Sequence, residues 1–243
     1  MDFQYHIGTS GWYYGHWKNR FYPEKLPRTK WLEFYASHFD TVELNNSFYR
    51  LPSEAAFAGW TNASPDGFVF TVKASRFITH IKRLKDCREA VDTFTGRARM
   101  LGEKLGPILY QLPPNVHRDD EALDSFLAGL PCDIRHVVEF RHRSWLDERV
   151  LEILHKYNAG LCVFDMPSLS CPLRATADFA YIRFHGGGEL YASCYSDEEL
   201  AGWAERLADL AVNLKAVYIY FNNDAEAFAV RNAMTLRGYL RRE

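Results

Sequence analysis

Short apolar runs, rich in Val, Ile, Phe and Tyr and bounded by Gly, Pro or Asn, recur along the chain. They predict eight strands: Tyr5–Thr9, Thr41–Asn45, Phe68–Lys73, Ile108–Gln111, His136–Arg141, Leu161–Asp165, Phe179–His185 and Val217–Phe221. Between most of them lie amphipathic stretches that predict helices at Lys30–Ser37, Ser53–Asn62, Asp92–Lys104, Asp120–Leu127, Asp147–Tyr157, Ser196–Leu210 and Ala225–Leu240. Ser196 opens an S-x-x-E capping box with Glu199, and Ser53 and Asp120 are N-cap residues of the same polar type. Met166–Cys171, after the sixth strand, is too short and too close to Pro for a regular helix. Strand alternating with helix predicts a parallel α/β sheet, and eight repeats in this length predict a single closed (β/α)8 TIM-type barrel over residues 1–243.

A polar residue stands at or near the C-terminal end of each apolar run: Ser10, Glu43, Lys73, Gln111, Glu139, Asp165, His185 and Asn222. In a parallel barrel those ends converge on one mouth, where chemistry is placed. Alternation along the strands sharpens this. Glu43 and Asn45 oppose Val42 and Leu44; Glu139 and Arg141 oppose Val138 and Phe140. Tyr181, Arg183 and His185 oppose Ile182 and Phe184, while Tyr218, Tyr220 and Asn222 oppose Ile219 and Phe221. The apolar face is expected against helices and the polar face inside the barrel, where unpaired groups are costly.

Composition adds limits. The chain has 243 residues, 47% hydrophobic, enough for a large core without disulfide or metal support. A formal charge of −2 argues against a strongly basic nucleic-acid binder. Cys87, Cys132, Cys162, Cys171 and Cys194 are odd in number and lack a C-x-x-C pair, as expected for reduced thiols in a cytoplasmic protein. No signal peptide or membrane-length apolar run is evident, so no membrane partner is expected.

The segments GTSGWYYGHW (Gly8–Trp17), VELNNSFYRLP (Val42–Pro52), FTVKASRFITH (Phe70–His80), LGPILYQLPP (Leu105–Pro114), VEFRHRSW (Val138–Trp145), YIRFHGGG (Tyr181–Gly188) and YFNND (Tyr220–Asp224) occur in this order. With them the chain resembles the YecE-like proteins, domain-of-unknown-function family seventy-two. The resemblance implies a TIM-type barrel and a strand-end site at Glu43, Asn45, Lys73, Gln111, Glu139, Arg141, Arg183, His185 and Asn222. It implies no particular activity and no cofactor.

The site residues support several chemistries. Glu43, Glu139, Asp165 and His185 are metal-ligand types, and a divalent ion among them would suit a hydrolase. Lys73, Arg141 and Arg183 compete for the same acids as ion pairs, so the expectation is a Glu139–Arg interaction without a tightly bound metal. The same cations, with the loop Gly186, Gly187 and Gly188 after the seventh strand, suit a phosphate-bearing anion. Trp12, Tyr13, Tyr14, Trp17, Phe48, Tyr49 and Trp145 are either a stacking wall for a base or sugar ring or ordinary loop packing. The expected ligand is a phosphate-bearing molecule with a ring, a nucleotide or nucleic acid, and hydrolytic or lyase chemistry would centre on Glu139 and His185. The alternatives are a non-catalytic binding or scaffold protein and a glycoside hydrolase using paired carboxylates. The HGGG string does not mark a lipase, because no G-x-S-x-G elbow accompanies it.

Overall fold

The computed structural model describes residues 3–166, 168–187 and 193–241. Eight parallel strands close a barrel in sequence order: β1 Gln4–Ser10, β2 Thr41–Leu44, β3 Val69–Lys73, β4 Leu105–Gln111, β5 His136–Glu139, β6 Gly160–Asp165, β7 Phe179–Phe184 and β8 Ala216–Phe221. β1 closes the ring on β8, with register running from Gln4 opposite Ala216 to Thr9 opposite Phe221. The helices are α1 Trp31–Ala36, α2 Asn46–Tyr49, α3 Glu54–Ala63, α4 Arg88–Ala98, α5 Asp120–Ala128, α6 Glu148–Lys156, α7 Asp197–Ala211 and α8 Phe228–Leu240. Among the described residues, none is long and apolar enough to cross a membrane.

The expected alternation of faces is present. Outward side chains such as Val42, Val138, Ile182 and Ile219 join helix residues such as Val150, Leu207 and Leu236 in one large core. Inward side chains form a second, separate core that includes Leu109, Val137, Cys162, Tyr181, Tyr218 and Tyr220. This interior is neutral and tied by hydroxyl contacts: Tyr220 reaches the hydroxyls of Thr41 and Thr71, each at 2.7 Å. Below it, His6 stacks on Tyr218 with centroids 4.8 Å apart. Gly8 has a specific reason to lack a side chain. A Cβ there would lie 2.2 Å from the Thr41 carbonyl oxygen. The space is used by Tyr35, whose hydroxyl accepts from the Thr9 amide at 2.9 Å.

Three expectations need correction, and one feature was not foreseen. Asp119, not Asp120, caps α5: its carboxylate accepts from the Ala122 amide at 3.0 Å. Asp120 lies inside the first turn, paired with Arg118. α4 starts at Arg88 rather than Asp92, and the helical stretch breaks at Gly102, whose φ of 57° only glycine adopts readily. The last predicted helix divides at Glu226 and Ala227, both with positive φ, before α8 begins. The unforeseen feature is a π-helical turn at Phe77–Ile81, just beyond the end of β3. Such turns recur where a chain is shaped around a site.

Candidate functional site at the barrel mouth

Above the neutral interior lies a layer of charge. Arg183, 1% exposed, projects inward from β7 and joins the two buried acids. Its Nη2 donates to Glu43 Oε1 at 2.8 Å and its Nη1 to Glu139 Oε2 at 2.7 Å. Glu43 also accepts from Tyr181 OH at 2.6 Å and from the Ser10 hydroxyl. Asn45 Nδ2 donates to that same hydroxyl at 2.8 Å. Arg141 Nε donates to the other Glu139 oxygen. The expected Glu139–Arg interaction is therefore present twice over.

Burial by itself would raise the Glu139 carboxyl, but Arg141, Arg183, His185 and Lys73 outweigh it and hold the group below the ordinary carboxylate range. Burial would likewise favour a neutral Arg183, yet Glu43 and Glu139 keep it firmly charged. His185 is pushed well below its ordinary value by burial and by Arg183, so it is neutral. Its Nε2 lies 3.0 Å from Arg141 Nη2, which has only protons to give. The proton of the neutral ring therefore sits on Nδ1, 3.1 Å from the Asn222 side-chain amide. That assignment requires Asn222 to turn its oxygen toward the ring. His185 thus has both nitrogens engaged.

Lys73 behaves differently. It shares the inward parity of Thr71 on β3, and the β3 end is clamped on both sides. Ser47 Oγ donates to the Lys73 carbonyl at 2.7 Å, and the Ala74 amide to the Leu109 carbonyl at 2.8 Å. Among the described residues its ammonium has no hydrogen bond and no ion pair; it lies 4.6 Å from the centroid of the Phe48 ring. Burial, then the nearby Arg183, lower it to about 8, with Glu139 and Glu43 opposing and Arg141 adding to the effect. Gln111, on the intervening strand β4, lines a cleft of about 590 Å³ with Arg141, Met166, Pro114 and His142. A cleft of about 600 Å³ also lies at the opposite end of the barrel, beside His136 and Asp178. It is remote from this charge layer.

A family model described as "Protein of unknown function DUF72" matches residues 6–243. The chain belongs to this family. It is 30% identical over 260 aligned residues to the UPF0759 protein YunF of Bacillus subtilis, covering 93% of this chain and 91% of that one. The UPF0759 protein YecE of Escherichia coli is 36% identical over 112 residues, 46% of this chain and 41% of its own. Among solved structures, a DUF72 family protein from Thermotoga maritima superposes with a TM-score of 0.90 at 32% identity, covering 98% of this chain and 99% of that one. A second DUF72 structure, from Enterococcus faecalis, gives 0.84 at 21% identity over 98% and 95% of the two chains and shows the shared fold.

Within this family barrel, Glu43, Asn45, Glu139, Arg141, Arg183, His185 and Asn222 form one connected network, and Lys73 and Gln111 face the same mouth. Other sequence candidates lie elsewhere. Asp165 has the outward parity of Val163 and hydrogen-bonds Tyr195. The Gly186 amide already donates to Tyr195 OH at 3.1 Å. A Cβ on Gly187 would lie 3.4 Å from the Glu199 carboxylate, a poor neighbour for an anion. Gly188 lies outside the described residues. Trp12, Trp17 and Trp145 are buried packing residues, the last stacked 4.7 Å from Phe140. Tyr49 remains 75% exposed beside Phe48.

Sequence reasoning missed Tyr181 as a partner of Glu43, although its inward parity was visible. It also missed Cys162, whose thiol lies 3.6 Å from Glu139 Oε2 and is pushed up by burial and by that carboxylate. Among the described residues, no group of three His, Cys, Asp or Glu side chains is arranged to hold a metal ion.

Proposed function

We propose that the mouth binds a small phosphate-bearing molecule with a ring, its anionic group on the arc formed by Lys73, Gln111 and Arg141. The observation that carries this reading is the Lys73 ammonium, which has no ion pair among the described residues, beside a network in which the acids are already matched by arginines. Counting formal charges, Lys73, Arg141 and Arg183 against Glu43 and Glu139 leaves one positive charge in excess, and a buried excess charge is stabilised by an anion. The cleft between Gln111 and Met166 offers space for a ring, and outside that cleft the exposed Tyr49 offers a face for stacking.

In a glycoside hydrolase pair, a Glu139 carboxyl held below its ordinary range by Arg141 and Arg183 would suit the nucleophile or base better than the general acid. Calorimetry with adenosine monophosphate, adenosine and inorganic phosphate tests the reading. It expects binding of the two phosphate-bearing probes, lost in Lys73→Ala, and none of adenosine at the same concentration. Absence of phosphate binding, or binding indifferent to Lys73→Ala, contradicts it.

A further inference from the structure

We propose that Lys73 is a nucleophile that forms an imine with a carbonyl-bearing substrate at the barrel mouth. This deepens the reading above, because it takes the Lys73 arc as the ligand site and adds an aldehyde or ketone to the phosphate-bearing ligand.

The contrast with five other lysines motivates it; Lys18 and Lys25 also have no ion pair among the described residues but are exposed to solvent, and Lys82 lies over the Phe77 ring. Lys30, Lys85, Lys156 and Lys215 each hold a carboxylate at 2.6 to 2.7 Å, and Lys104 donates to the Thr61 and Ser64 carbonyls at 2.8 Å. Lys73 has two acids in its neighbourhood, yet both carboxylates are taken by Arg183, Arg141, Ser10 and Tyr181. Besides those acids, the amine faces Arg183, Arg141 and the neutral His185 on the network side, with His80 near it beyond β3. Neighbouring cations and desolvation together are the established way to keep a lysine amine neutral and nucleophilic. Its strand position and clamped backbone fix its direction, which a catalytic amine also needs. At pH 7.5, roughly a quarter of Lys73 amines are neutral for a group near 8, against about one in a thousand for an ordinary lysine.

The step balances without an external redox agent. The neutral Nζ attacks the carbonyl carbon, forming a C–N bond and a carbinolamine. The carbonyl oxygen then departs as water with two protons, one taken from the amine and one from solvent. A cationic imine remains, with the second amine proton on nitrogen. It acts as an electron sink for bonds to the adjacent carbon, which is the chemistry of a lyase or isomerase rather than of a hydrolase.

The test uses the full chain with two probes, glycolaldehyde phosphate and propionaldehyde, each with cyanoborohydride at pH 7.5, followed by peptide mass mapping. The expected result is reductive alkylation of Lys73 at least about tenfold faster than at any other lysine, with the phosphate-bearing probe ahead and slowed by inorganic phosphate. Lys73→Arg keeps the charge and should retain phosphate binding while losing the selective adduct. If Lys73→Arg does not fold, the wild-type pH profile decides. Labelling at Lys73 should level off above about pH 8, while labelling at the other lysines keeps rising. Selective labelling by both probes with no effect of phosphate upholds the imine and overturns the anion site. Phosphate binding that depends on Lys73, without selective labelling, upholds the anion site and overturns the imine. Neither result overturns both.

Discussion

Around the mouth, two sets of strand ends treat charge in opposite ways. At the ends of β1, β2, β5 and β7, each acid meets a guanidinium: Glu43 with Arg183, and Glu139 with Arg183 and Arg141, with Ser10 and Tyr181 completing the set. At the ends of β3 and β4, Lys73 and Gln111 face the opening, and the lysine has no charged partner among the described residues. Residue type does not separate the two arcs, since Lys and Arg are both cations. Connectivity does. A paired buried charge is committed to the fold, because removing its partner exposes a large desolvation penalty. An unpaired one carries that penalty in the native state and releases it when a ligand arrives.

The largest effect expected from this contrast is at Arg183. Arg183→Met leaves Glu43 and Glu139 buried with too few partners and should lower unfolding free energy by about 3–5 kcal/mol in urea titrations. Adding Glu43→Gln to that variant should restore part of the loss. Equal stability of Arg183→Met and wild type would erase the distinction between the arcs.

Lys73→Met should move stability the other way. A lysine lowered from 10.5 to about 8 disfavours the native state at pH 7, where the unfolded chain carries the same proton at no cost. Removing it should stabilise the protein by about 1–3 kcal/mol while abolishing phosphate binding. In the wild type this penalty is full below about pH 8 and fades as pH rises toward 10.5. Stability should therefore increase over that window, a rise absent in Lys73→Met.

Acid should act on the paired arc and on the barrel's far end. His185, lowered by burial and Arg183, and His136, lowered by burial to about 4, stay neutral in the fold but gain protons in the unfolded chain below about pH 6.5. Stability therefore falls as pH drops from 7 to 5, by roughly 2 kcal/mol from His136 alone. Glu139, whose folded carboxyl is held low, adds a loss that begins near pH 4, where the unfolded carboxylate takes its proton. His136→Asn isolates the mouth's share in chemical denaturation at each pH.

The smallest effect is at Tyr49. Its side chain is mostly exposed, so Tyr49→Ala should change stability by less than about 0.5 kcal/mol. It should weaken a ring-bearing ligand by roughly 1 kcal/mol and leave inorganic phosphate unaffected, as calorimetry would show.

Much of this was legible in the sequence for a plain reason. Strands with one polar and one apolar face announce their orientation, so Glu43, Glu139, Arg183 and Asn222 were placed correctly by alternation alone. β6 gave no such guide. Its run Leu161–Phe164 is apolar on both faces, as strands covered on both sides are, and Asp165 therefore looked like a mouth residue when its side chain meets Tyr195 behind the barrel. The Gly186 loop failed for a different reason. Permissive backbone marks a loop that can approach a ligand, but only the fold shows that Tyr195 has already taken its amide. That Lys73 has no ion pair among the described residues was also invisible, because it depends on which cations reach the acids first, and that is set by register across five strands.

The most direct test of the contrast is the titration of Lys73 itself, followed by NMR of the 13C-dimethylated protein with Lys73→Arg to assign the resonance. The structure predicts a midpoint near 8 that moves upward when phosphate is added, because an anion relieves the repulsion from Arg183 and Arg141. A midpoint near the ordinary 10.5, unmoved by phosphate, would contradict the account: Lys73 would then be a solvated surface cation, and the mouth would hold no open arc.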